Sequence, residues 1–529
     1  MNKIGGVSRL ARTDRPRRDA GPAAEVRVAT GMLRGVAERG VLSWRGIPYA
    51  AAPAGPLRFR SPQPAEPWAG VRDAGDWGPV APQLRRGQFI GAHPRIPQDE
   101  DCLSLNVLAP DAPVDPGSLR PVMVFIHGGA YSVGSSREVP HQGEGLVRRA
   151  GVVYVGLNYR LGALGYLDFT RYSTPARPLE SNLGLRDQVA ALRWVRENIH
   201  AFGGDPDAVT LFGESAGGNA VTTLMTVPAA AGLFQRAIVQ SAPPNAVYPS
   251  SLSAQWAGDF VEILRGLVDD QADAEADAAS LLLGADPSIL AAATAVLTSR
   301  APDSYPGTIP LCPVIDGDFL PERPLDAFRD GRAHRVPLII GTNEREGSLF
   351  SGRIDILAST APRIRAIFRK TKKKARKALK AHYPGLPDQR AALDFGGDYS
   401  FWYPSVRVGE RHSRYAPVHF YRFDAAPPLL RRMGLDATHG LEMFPLFDRL
   451  DGWFGRGMTV LGGRRTFKSI GARMQGWWTE FAATGVPDAD WPRYEESERK
   501  TLIIDAVDRV ESDPLGDRRR AWGAFVPHV

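Results

Sequence analysis

The stretch Gly213-Glu214-Ser215-Ala216-Gly217 matches the pattern Gly-x-Ser-x-Gly, and the rest of the sequence is interpreted around it. An apolar run with β character, residues 208–212, precedes it, and a run of small residues typical of a helix, residues 219–225, follows it. This order predicts a strand, a sharp turn and a helix, with the Ser215 hydroxyl held above a sheet near the helix N-terminus. The pattern alone is weak evidence, so a nucleophilic serine must also have partners elsewhere in the chain.

The composition indicates a large globular protein. The chain has 529 residues, 43% of them hydrophobic, which is enough for an extensive core. Its formal net charge is +7, but its 65 basic and 58 acidic residues are interspersed and no nucleic-acid-recognition motif accompanies them, so nucleic acid is not an expected partner. The two cysteines, Cys102 and Cys312, are too few for a disulfide framework or a cysteine-rich metal site. We expect no metal and no organic cofactor.

The sequence divides into a short tail and one long domain. Residues 1–24 are basic and polar and lack the apolar segment of a secretory signal, so we expect a disordered tail. Residues 25–529 are expected to form a single domain. No apolar run reaches the length of a transmembrane helix, and the predicted location is the cytoplasm.

Apolar runs of buried-strand length alternate with helical stretches along the chain. The runs are residues 121–126, 151–157, 208–212, 234–240 and 337–341. This alternation predicts an α/β fold with a large, mostly parallel sheet covered by helices on both faces. Polar residues follow four of the runs, namely His127, Asn158, Ser215 and Ser241. Because ligands bind at the carboxyl ends of parallel strands, we expect these side chains to meet at one edge of the sheet.

A serine nucleophile needs a base, and the base needs a carboxylate that holds its tautomer. In sheets of this type the chain order is serine, then aspartate or glutamate, then histidine. The histidines that follow Ser215 are His334, His382, His412, His419, His439 and His528. His439 is the preferred base because it stands alone in a loop beyond a predicted strand and precedes a glycine.

The carboxylate is expected just after a strand end between Ser215 and His439. Glu344 and Glu346 both follow the apolar run 337–341, and both satisfy the chain order. Glu346 precedes Gly347, which would let the loop turn back, whereas Glu344 has the alternative of a solvated loop carboxylate. These features favour Glu346.

Acyl transfer also requires donors for a negatively charged oxygen. The turn His127-Gly128-Gly129-Ala130 carries few side-chain atoms and follows a predicted strand. Its N–H groups could approach a substrate, together with the N–H of Ala216. A plain Gly-Gly turn without this role is the alternative.

Motifs spread over most of the chain give these residues a context. They are Gly46-Ile47-Pro48-Tyr49-Ala50, Glu100-Asp101-Cys102-Leu103-Ser104-Leu105-Asn106, His127-Gly128-Gly129-Ala130, Asn158-Tyr159-Arg160, Gly184-Leu185-Arg186-Asp187-Gln188, Phe202-Gly203-Gly204-Asp205-Pro206, Pro313-Val314-Ile315-Asp316-Gly317 and His439-Gly440-Leu441-Glu442, besides the stretch around Ser215. With these motifs, which are highly specific together, the sequence resembles the type-B carboxylesterases. That family includes the cholinesterases and bacterial p-nitrobenzyl esterases.

The resemblance implies an α/β-hydrolase fold with loop and helical insertions over the active site. It implies a serine carboxylesterase that hydrolyses small-molecule esters through an acyl-enzyme, without a cofactor. The residues implied by the family pattern are Ser215 as nucleophile, Glu346 as acid and His439 as base; Gly129, Ala130 and Ala216 as oxyanion donors; Glu214, Ser241 and Glu442 around the histidine; and Leu349 and Phe350 in the substrate pocket.

Two features differ from the family pattern. Family members from oxidising compartments pair the cysteine at the Cys102 position with an upstream cysteine, and here the upstream position is Ala81. Cys102 is therefore expected to be a free buried thiol, as in a reducing compartment. The loop 88–98 carries no tryptophan, where cholinesterases place an aromatic residue that binds cations. Choline esters are not expected to be favoured substrates.

Three other interpretations remain at this point. A cholinesterase-like domain could be a binding module without catalysis, although a candidate for every triad member is present. An interfacial lipase acting on longer-chain esters is the second. The third concerns residues 363–380, which are strongly basic with apolar residues near helical spacing. They predict either a solvated helix packed on the body by its apolar stripe or a weak contact with anionic membranes.

Overall fold

The structure is a computed structural model. It describes residues 24–85, 91–112, 117–138, 142–268, 270, 275–351, 356–369 and 371–525. The predicted tail, residues 1–24, lies outside the described residues except for its last member.

Sixteen strands occur in the described residues, and eleven of them form one sheet. The strands are β1 (Glu25–Val28), β2 (Gly31–Arg34), β3 (Val36–Glu38), β4 (Val41–Pro48), β5 (Val71–Asp73), β6 (Ser104–Pro110), β7 (Arg120–Ile126), β8 (Val153–Leu157), β9 (Gly204–Glu214), β10 (Arg236–Gln240), β11 (Tyr248–Pro249), β12 (Val314–Ile315), β13 (Leu338–Asn343), β14 (Val418–Phe423), β15 (Lys500–Ile504) and β16 (Arg509–Ser512).

Seventeen α-helices occur in the same residues. They are α1 (Glu144–Ala150), α2 (Gly162–Tyr166), α3 (Leu183–Asn198), α4 (Ala216–Leu224), α5 (Ser250–Arg265), α6 (Ala278–Gly284), α7 (Pro287–Ser304), α8 (Pro324–Asp330), α9 (Ala361–Arg369), α10 (Lys373–Ala381), α11 (Gln389–Gly397), α12 (Tyr403–His412), α13 (Pro428–Arg432), α14 (Met443–Leu446), α15 (Trp453–Met458), α16 (Arg464–Thr484) and α17 (Gly516–Gly523). A π-helical segment, Asp398–Trp402, leads directly into α12.

The large sheet has the order β16-β15-β14-β13-β10-β9-β7-β8-β6-β4-β3. The pairings from β15 through β8 are parallel, and those at both ends of the sheet are antiparallel. The large, mostly parallel sheet predicted from the sequence is therefore confirmed. The five predicted apolar runs correspond to β7, β8, β9, β10 and β13.

The central strands bury both faces, which explains their continuous apolar character. In β7, Val122, Val124 and Ile126 join the core on one face, and Met123 and Phe125 join the core on the other. This alternation follows from the two-residue period of a strand. Helix α3 covers the first face and α16 covers the second, each with an apolar stripe at helical spacing.

Three parts of the chain differ from the sequence-based expectations. The spacing of Trp477, Trp478 and Phe481 predicts an amphipathic helix near residues 474–483, but helix α16 begins at Arg464, because Phe467 and Ile470 extend its buried stripe by two turns. The sequence after this helix predicts mainly turns, but it also forms β15, β16 and α17, whose short lengths give little periodic signal. Residues 353–383 are very basic and predict one helix, but two helices, α9 and α10, are observed; residues 352–355 and 370 lie outside the described range.

No single described helix is long and apolar enough to cross a membrane. The pair α6 and α7, bent by 117° between its members, meets the criterion of length and composition only when the two helices are taken together.

A buried ion pair ties the loop after β8 to α3. The Nε and Nη2 of Arg160 donate to the two carboxylate oxygens of Asp187, at 2.8 and 2.6 Å, and both side chains are almost fully buried. The backbone N–H of Arg160 donates to Asp187 as well, at 3.1 Å, and the Nη1 donates to the carbonyl of Arg60 at 2.7 Å. Asp187 thus neutralises a guanidinium that has no access to water.

We expect the substitution Asp187→Asn to lower the free energy of unfolding by about 3–5 kcal/mol, because it leaves the Arg160 charge buried without a counter-ion. Urea denaturation followed by tryptophan fluorescence measures the change. The matched control is Asp318→Asn, which removes the exposed partner of Arg186, 3.7 Å away. That variant should unfold at the wild-type urea concentration, and an equal loss in both variants would contradict the explanation.

Candidate active site

Ser215 occupies a strained turn between β9 and α4. Its backbone has φ 57° and ψ −123°, a region that residues with a side chain rarely adopt. A Cβ on Gly217 would lie 2.0 Å from the carbonyl oxygen of Ile126, and a Cβ on Gly213 would lie 2.6 Å from the carbonyl carbon of Gly217. The two glycines of the motif are therefore required by the close approach of the turn to β7. The predicted strand-turn-helix is confirmed.

His439 and Glu346 are joined by a hydrogen bond. The Nδ1–H of His439 donates to Oε2 of Glu346 at 2.5 Å. The other carboxylate oxygen, Oε1, accepts from the Asn343 N–H at 2.6 Å and from the Ser241 hydroxyl at 2.7 Å. Glu346 is 3% exposed, whereas the alternative candidate Glu344 is exposed to solvent. Of the two glutamates that the sequence left open, only Glu346 contacts the histidine.

Glu214 approaches the opposite side of the imidazole. Its Oε1 lies 3.3 Å from the Nε2 of His439, and both side chains are buried. A Cβ on Gly128 would lie 2.8 Å from Oε2 of Glu214 and 3.1 Å from the Cβ of Ser215, so this glycine makes room for both residues. The Nε2 of His439 is buried, and no hydrogen-bond partner for it occurs among the described residues.

A third carboxylate, Glu442, completes the surroundings of the histidine. Its Oε2 accepts from the side-chain amide of Asn343 at 2.6 Å, and the same amide donates to the carbonyl of Thr438 at 2.6 Å. The Ser241 hydroxyl is 3.4 Å from Oε1 of Glu442, farther than from Glu346. Asn343 thus links the loop that carries Glu346 to the loop that carries His439. Sequence reasoning missed it, because an asparagine at a strand end carries no signal of its own.

Burial controls the protonation of two of these carboxyls. It raises the pKa of Glu214 to about 7, with the charge of Glu346 adding to the rise and that of His439 opposing it. It raises the pKa of Glu442 to about 8, and the charges of Glu214 and Glu346 contribute in the same direction. Near neutral pH these two carboxyls therefore hold protons part of the time.

The pKa of His439 is set by opposing effects. Burial lowers it, but the charges of Glu214, Glu346 and Glu442 and the hydrogen bond that His439 donates to Glu346 outweigh burial and raise the pKa to about 9. The titrations are linked, since a proton on Glu214 or Glu442 removes part of the negative charge that stabilises the imidazolium. The charge of the imidazole therefore depends on how many of the surrounding glutamates are charged.

The turn after β7 exposes backbone donors next to Ser215. Gly129, Ala130 and Tyr131 all have positive φ, at 108°, 51° and 56°, and a Cβ on Gly129 would lie 2.1 Å from the carbonyl oxygen of Val133. The Gly129 carbonyl accepts from the N–H of Val133 at 3.1 Å, which fixes the turn. Within the described part of the chain, the N–H groups of Gly129, Ala130 and Ala216 have no acceptor.

Aromatic rings cover the exposed side of the histidine. The ring centroids of Phe350 and Phe401 lie 5.1 and 4.5 Å from that of His439, and the two phenylalanines stack on each other at 5.5 Å. Leu349 is half-buried against the same small cluster. The structure therefore brings both predicted pocket residues to this side. The run Phe401-Trp402-Tyr403 indicates from the sequence only that aromatic residues could line a pocket, and the structure brings Phe401, from the π-helical segment, to the histidine.

Two further expectations concern the cysteines and metals. Cys102 and Cys312 are both buried and unpaired, and the expectation of a free thiol at Cys102 is confirmed. Among the described residues, no group of three or more histidine, cysteine, aspartate and glutamate side chains is arranged to hold a metal ion.

The substitution Glu214→Gln is expected to lower the pKa of His439 by about one unit. A neutral amide no longer stabilises the imidazolium, so the imidazole loses its proton at a lower pH. NMR titration of protein labelled with ¹³C-histidine measures this pKa directly. Glu344→Gln is the matched control and should leave it unchanged, because Glu344 lies outside the cluster. A His439 pKa that stays the same in Glu214→Gln would contradict the electrostatic account.

Comparisons with known proteins agree with this architecture. The model of the carboxylesterase family matches residues 22–522. The para-nitrobenzyl esterase of Bacillus subtilis is 36% identical over 499 residues, which cover 93% of this chain and 96% of the relative. The phenmedipham hydrolase of Pseudarthrobacter oxydans is 33% identical over 489 residues, which cover 90% of this chain and 93% of the relative.

Solved structures give the same result. A structure of a PNB esterase superposes with a TM-score of 0.82 at 35% identity and covers 96% of this chain and 100% of its own. A carboxylesterase from Geobacillus stearothermophilus superposes with a TM-score of 0.79 at 32% identity and covers 94% of this chain and 99% of its own. The expected α/β-hydrolase fold is confirmed. The alternatives of a lipase and of a non-catalytic domain are not favoured by relatives named as esterases and hydrolases. The chain therefore belongs to the carboxylesterase family and is a serine carboxylesterase, a hydrolase of carboxylic esters.

Proposed function

We propose that Ser215, His439 and Glu346 carry the ester hydrolysis. The assignment rests on the Nε2 of His439, which is buried and has no hydrogen-bond partner among the described residues. It lies 3.3 Å from Oε1 of Glu214, the residue next to Ser215 in the sequence. Glu346 holds the opposite nitrogen protonated, so that Nε2 is the basic one. A base in this tautomer can take the proton of the Ser215 hydroxyl as the oxygen attacks the ester carbonyl.

The steps that follow use the same groups. The N–H groups of Gly129, Ala130 and Ala216 are proposed to bind the oxyanion, since they are preorganised donors without acceptors in the described residues. The imidazolium then protonates the leaving alcohol, and Ser215 keeps the acyl group. Water attacks the acyl-enzyme with His439 again as base, which releases the carboxylic acid and restores the serine.

Three residues around the histidine are proposed to position it and to set its charge. Ser241 donates to Glu346 and so orients the carboxylate toward the imidazole. Glu214 faces the Nε2 of His439 and would stabilise the imidazolium that forms during the reaction. Glu442 accepts a hydrogen bond from the Asn343 side chain. Asn343 also donates to Glu346 and to the Thr438 carbonyl next to His439, so it connects the two loops that carry Glu346 and His439.

The proposed substrates are small esters with an aromatic group. Relatives of this chain are named for hydrolysis of p-nitrobenzyl esters and of phenmedipham. Phe350 and Phe401 stack beside His439 and offer a flat apolar surface to such a group. A preference for long-chain lipid esters over p-nitrobenzyl esters in a substrate panel would contradict this proposal.

Replacement of Ser215 by alanine should reduce kcat for p-nitrophenyl acetate by about 10⁶-fold, because nothing else in the site can form the acyl-enzyme. Glu346→Gln should reduce it by about 10⁴-fold, since the amide does not hold the required tautomer. Glu344→Gln should retain wild-type turnover and serves as the matched control for the acid. Stopped-flow and steady-state absorbance of p-nitrophenolate give the rates. Substantial activity of the Ser215→Ala enzyme would contradict the assignment of Ser215 as the nucleophile.

We also propose that residues 25–529 form one domain and that the protein is cytoplasmic. The large sheet takes strands from residue 36 to residue 512, which supports one folding unit. A urea transition with two separated steps would contradict it.

The two unpaired buried cysteines are consistent with a reducing compartment, and cell fractionation tests the location.

A weak contact of residues 363–380 with anionic membranes is a further proposal. Five lysines are exposed here, namely Lys372, Lys373, Lys374, Lys377 and Lys380. Two details restrict the proposal to electrostatic attraction. The apolar stripe, including Ile364, Phe368 and Leu379, is buried, and Arg363 is also buried and pairs with Asp303 at 2.7 Å. Lys370 lies outside the described residues.

Sedimentation with vesicles tests this contact. We expect weak binding to vesicles of anionic lipid that disappears as the salt concentration rises, and none to zwitterionic vesicles. The variant Lys373→Gln/Lys374→Gln/Lys377→Gln should lose the binding, because each lysine contributes about 1 kcal/mol at such a surface. Equal binding of wild type and variant to anionic vesicles would contradict the proposal.

A further inference from the structure

A cavity away from Ser215 and His439 is lined by three arginines. It measures about 200 Å³ and lies between the start of α8, one face of α12 and the end of α17. The residues that carry the argument are Arg323, Tyr403, Arg407, Arg411, Trp522 and Phe525. We call it the arginine cavity. None of the residues proposed for catalysis lines it.

The positive charge of the cavity is concentrated on one face of α12. Tyr403, Arg407 and Arg411 follow one another at intervals of four residues, so their side chains lie on the same side of the helix. Two arginines at this spacing repel each other. Burial, together with the charge of Arg407, lowers the pKa of Arg411 to about 10, which still leaves it charged at neutral pH.

No carboxylate in the described residues forms an ion pair with Arg407 or Arg411, although the charge of Asp326 attracts Arg411 at longer range. The one carboxylate in the lining, Asp326, is engaged by the Nη1 of Arg329 at 2.8 Å. Arg411 donates to the carbonyl of Leu325, and Arg407 donates to the Tyr403 hydroxyl at 3.5 Å. The fork of donors on each guanidinium is therefore only partly used.

The rest of the wall is aromatic. The Trp522 ring stacks on the Tyr403 ring with centroids 5.7 Å apart and an interplanar angle of 22°. The Phe525 ring meets Trp522 at right angles, with centroids 5.3 Å apart. A cavity of about 150 Å³ is known to hold one benzene molecule. The arginine cavity is larger, so one aromatic ring and a small charged group fit together.

We infer that the arginine cavity is a binding site for a small aromatic carboxylate. The carboxylate would accept hydrogen bonds from Arg407 and Arg411, since guanidinium groups bind carboxylates through paired donors. The ring would lie against Tyr403 and Trp522. This site is additional to the esterase site and does not depend on which residues perform ester hydrolysis.

Isothermal titration with benzoate tests the inference. We expect saturable binding of benzoate to the wild-type protein. Benzyl alcohol, which keeps the ring but lacks the charge, should bind at least about tenfold more weakly. The variant Arg407→Gln/Arg411→Gln should weaken benzoate binding by about tenfold or more. Because that variant leaves the residues around His439 unchanged, any benzoate bound there would be unaffected, and the difference reports the arginine cavity.

The variant Arg407→Lys/Arg411→Lys is the matched control. It keeps both charges but loses the paired donors, so its affinity for benzoate should lie between those of the wild type and the glutamine variant. Both variants should hydrolyse p-nitrophenyl acetate at the wild-type rate, which shows that they fold. Unchanged benzoate affinity in the glutamine variant, or equal affinity of the wild type for benzoate and benzyl alcohol, would overturn the inference. Equal affinity for inorganic phosphate would overturn the assignment to aromatic carboxylates.

Discussion

The close approach of the Ser215 turn to strand β7 is the constraint on which the candidate site depends. The backbone at Gly217 passes so near the Ile126 carbonyl that no side chain fits between them. This contact fixes the distance between Ser215 and the turn that begins at His127, directly after β7. The N–H groups of this turn and the Ser215 side chain therefore take their relative positions from backbone packing. A side-chain contact could adjust by a rotamer change, whereas this one cannot.

The second requirement is electrostatic. One imidazole lies among three buried glutamates, and no arginine or lysine forms an ion pair with any of them among the described residues. Three carboxylates in a buried site cannot all be charged without a large cost. Protons on Glu214 and Glu442 reduce that cost, since burial raises the pKa of both. Glu346 is held in place by hydrogen bonds from Asn343, Ser241 and His439, which keep its side chain against the imidazole.

Much of this arrangement was predictable because its signals are local. Buried parallel strands are continuous apolar runs, and a strained turn requires glycine, so β7, β9 and the Ser215 turn could be read from the sequence. The assignment of His439 and Glu346 rested on chain order and on family resemblance. In the sequence, Gly347 and the family pattern favour Glu346 over Glu344; the physical reason is visible only in three dimensions, where one side chain points to the histidine and the other to solvent. Asn343 and the burial of Arg363 have no local signal, because each depends on a partner far away in the chain.

The segment from the π-helical turn through α12 connects the two sites of the molecule. Phe401 contacts His439, and Tyr403 contacts Trp522 at the arginine cavity. Residues two positions apart on a helix point about 200° apart, so Phe401 and Tyr403 face roughly opposite directions from one rigid element. The wider turn of the π-helix, which ends at Trp402, sets the rotation at which α12 begins. The same backbone feature therefore places an aromatic ring over the histidine on one side and aligns Tyr403, Arg407 and Arg411 on the other.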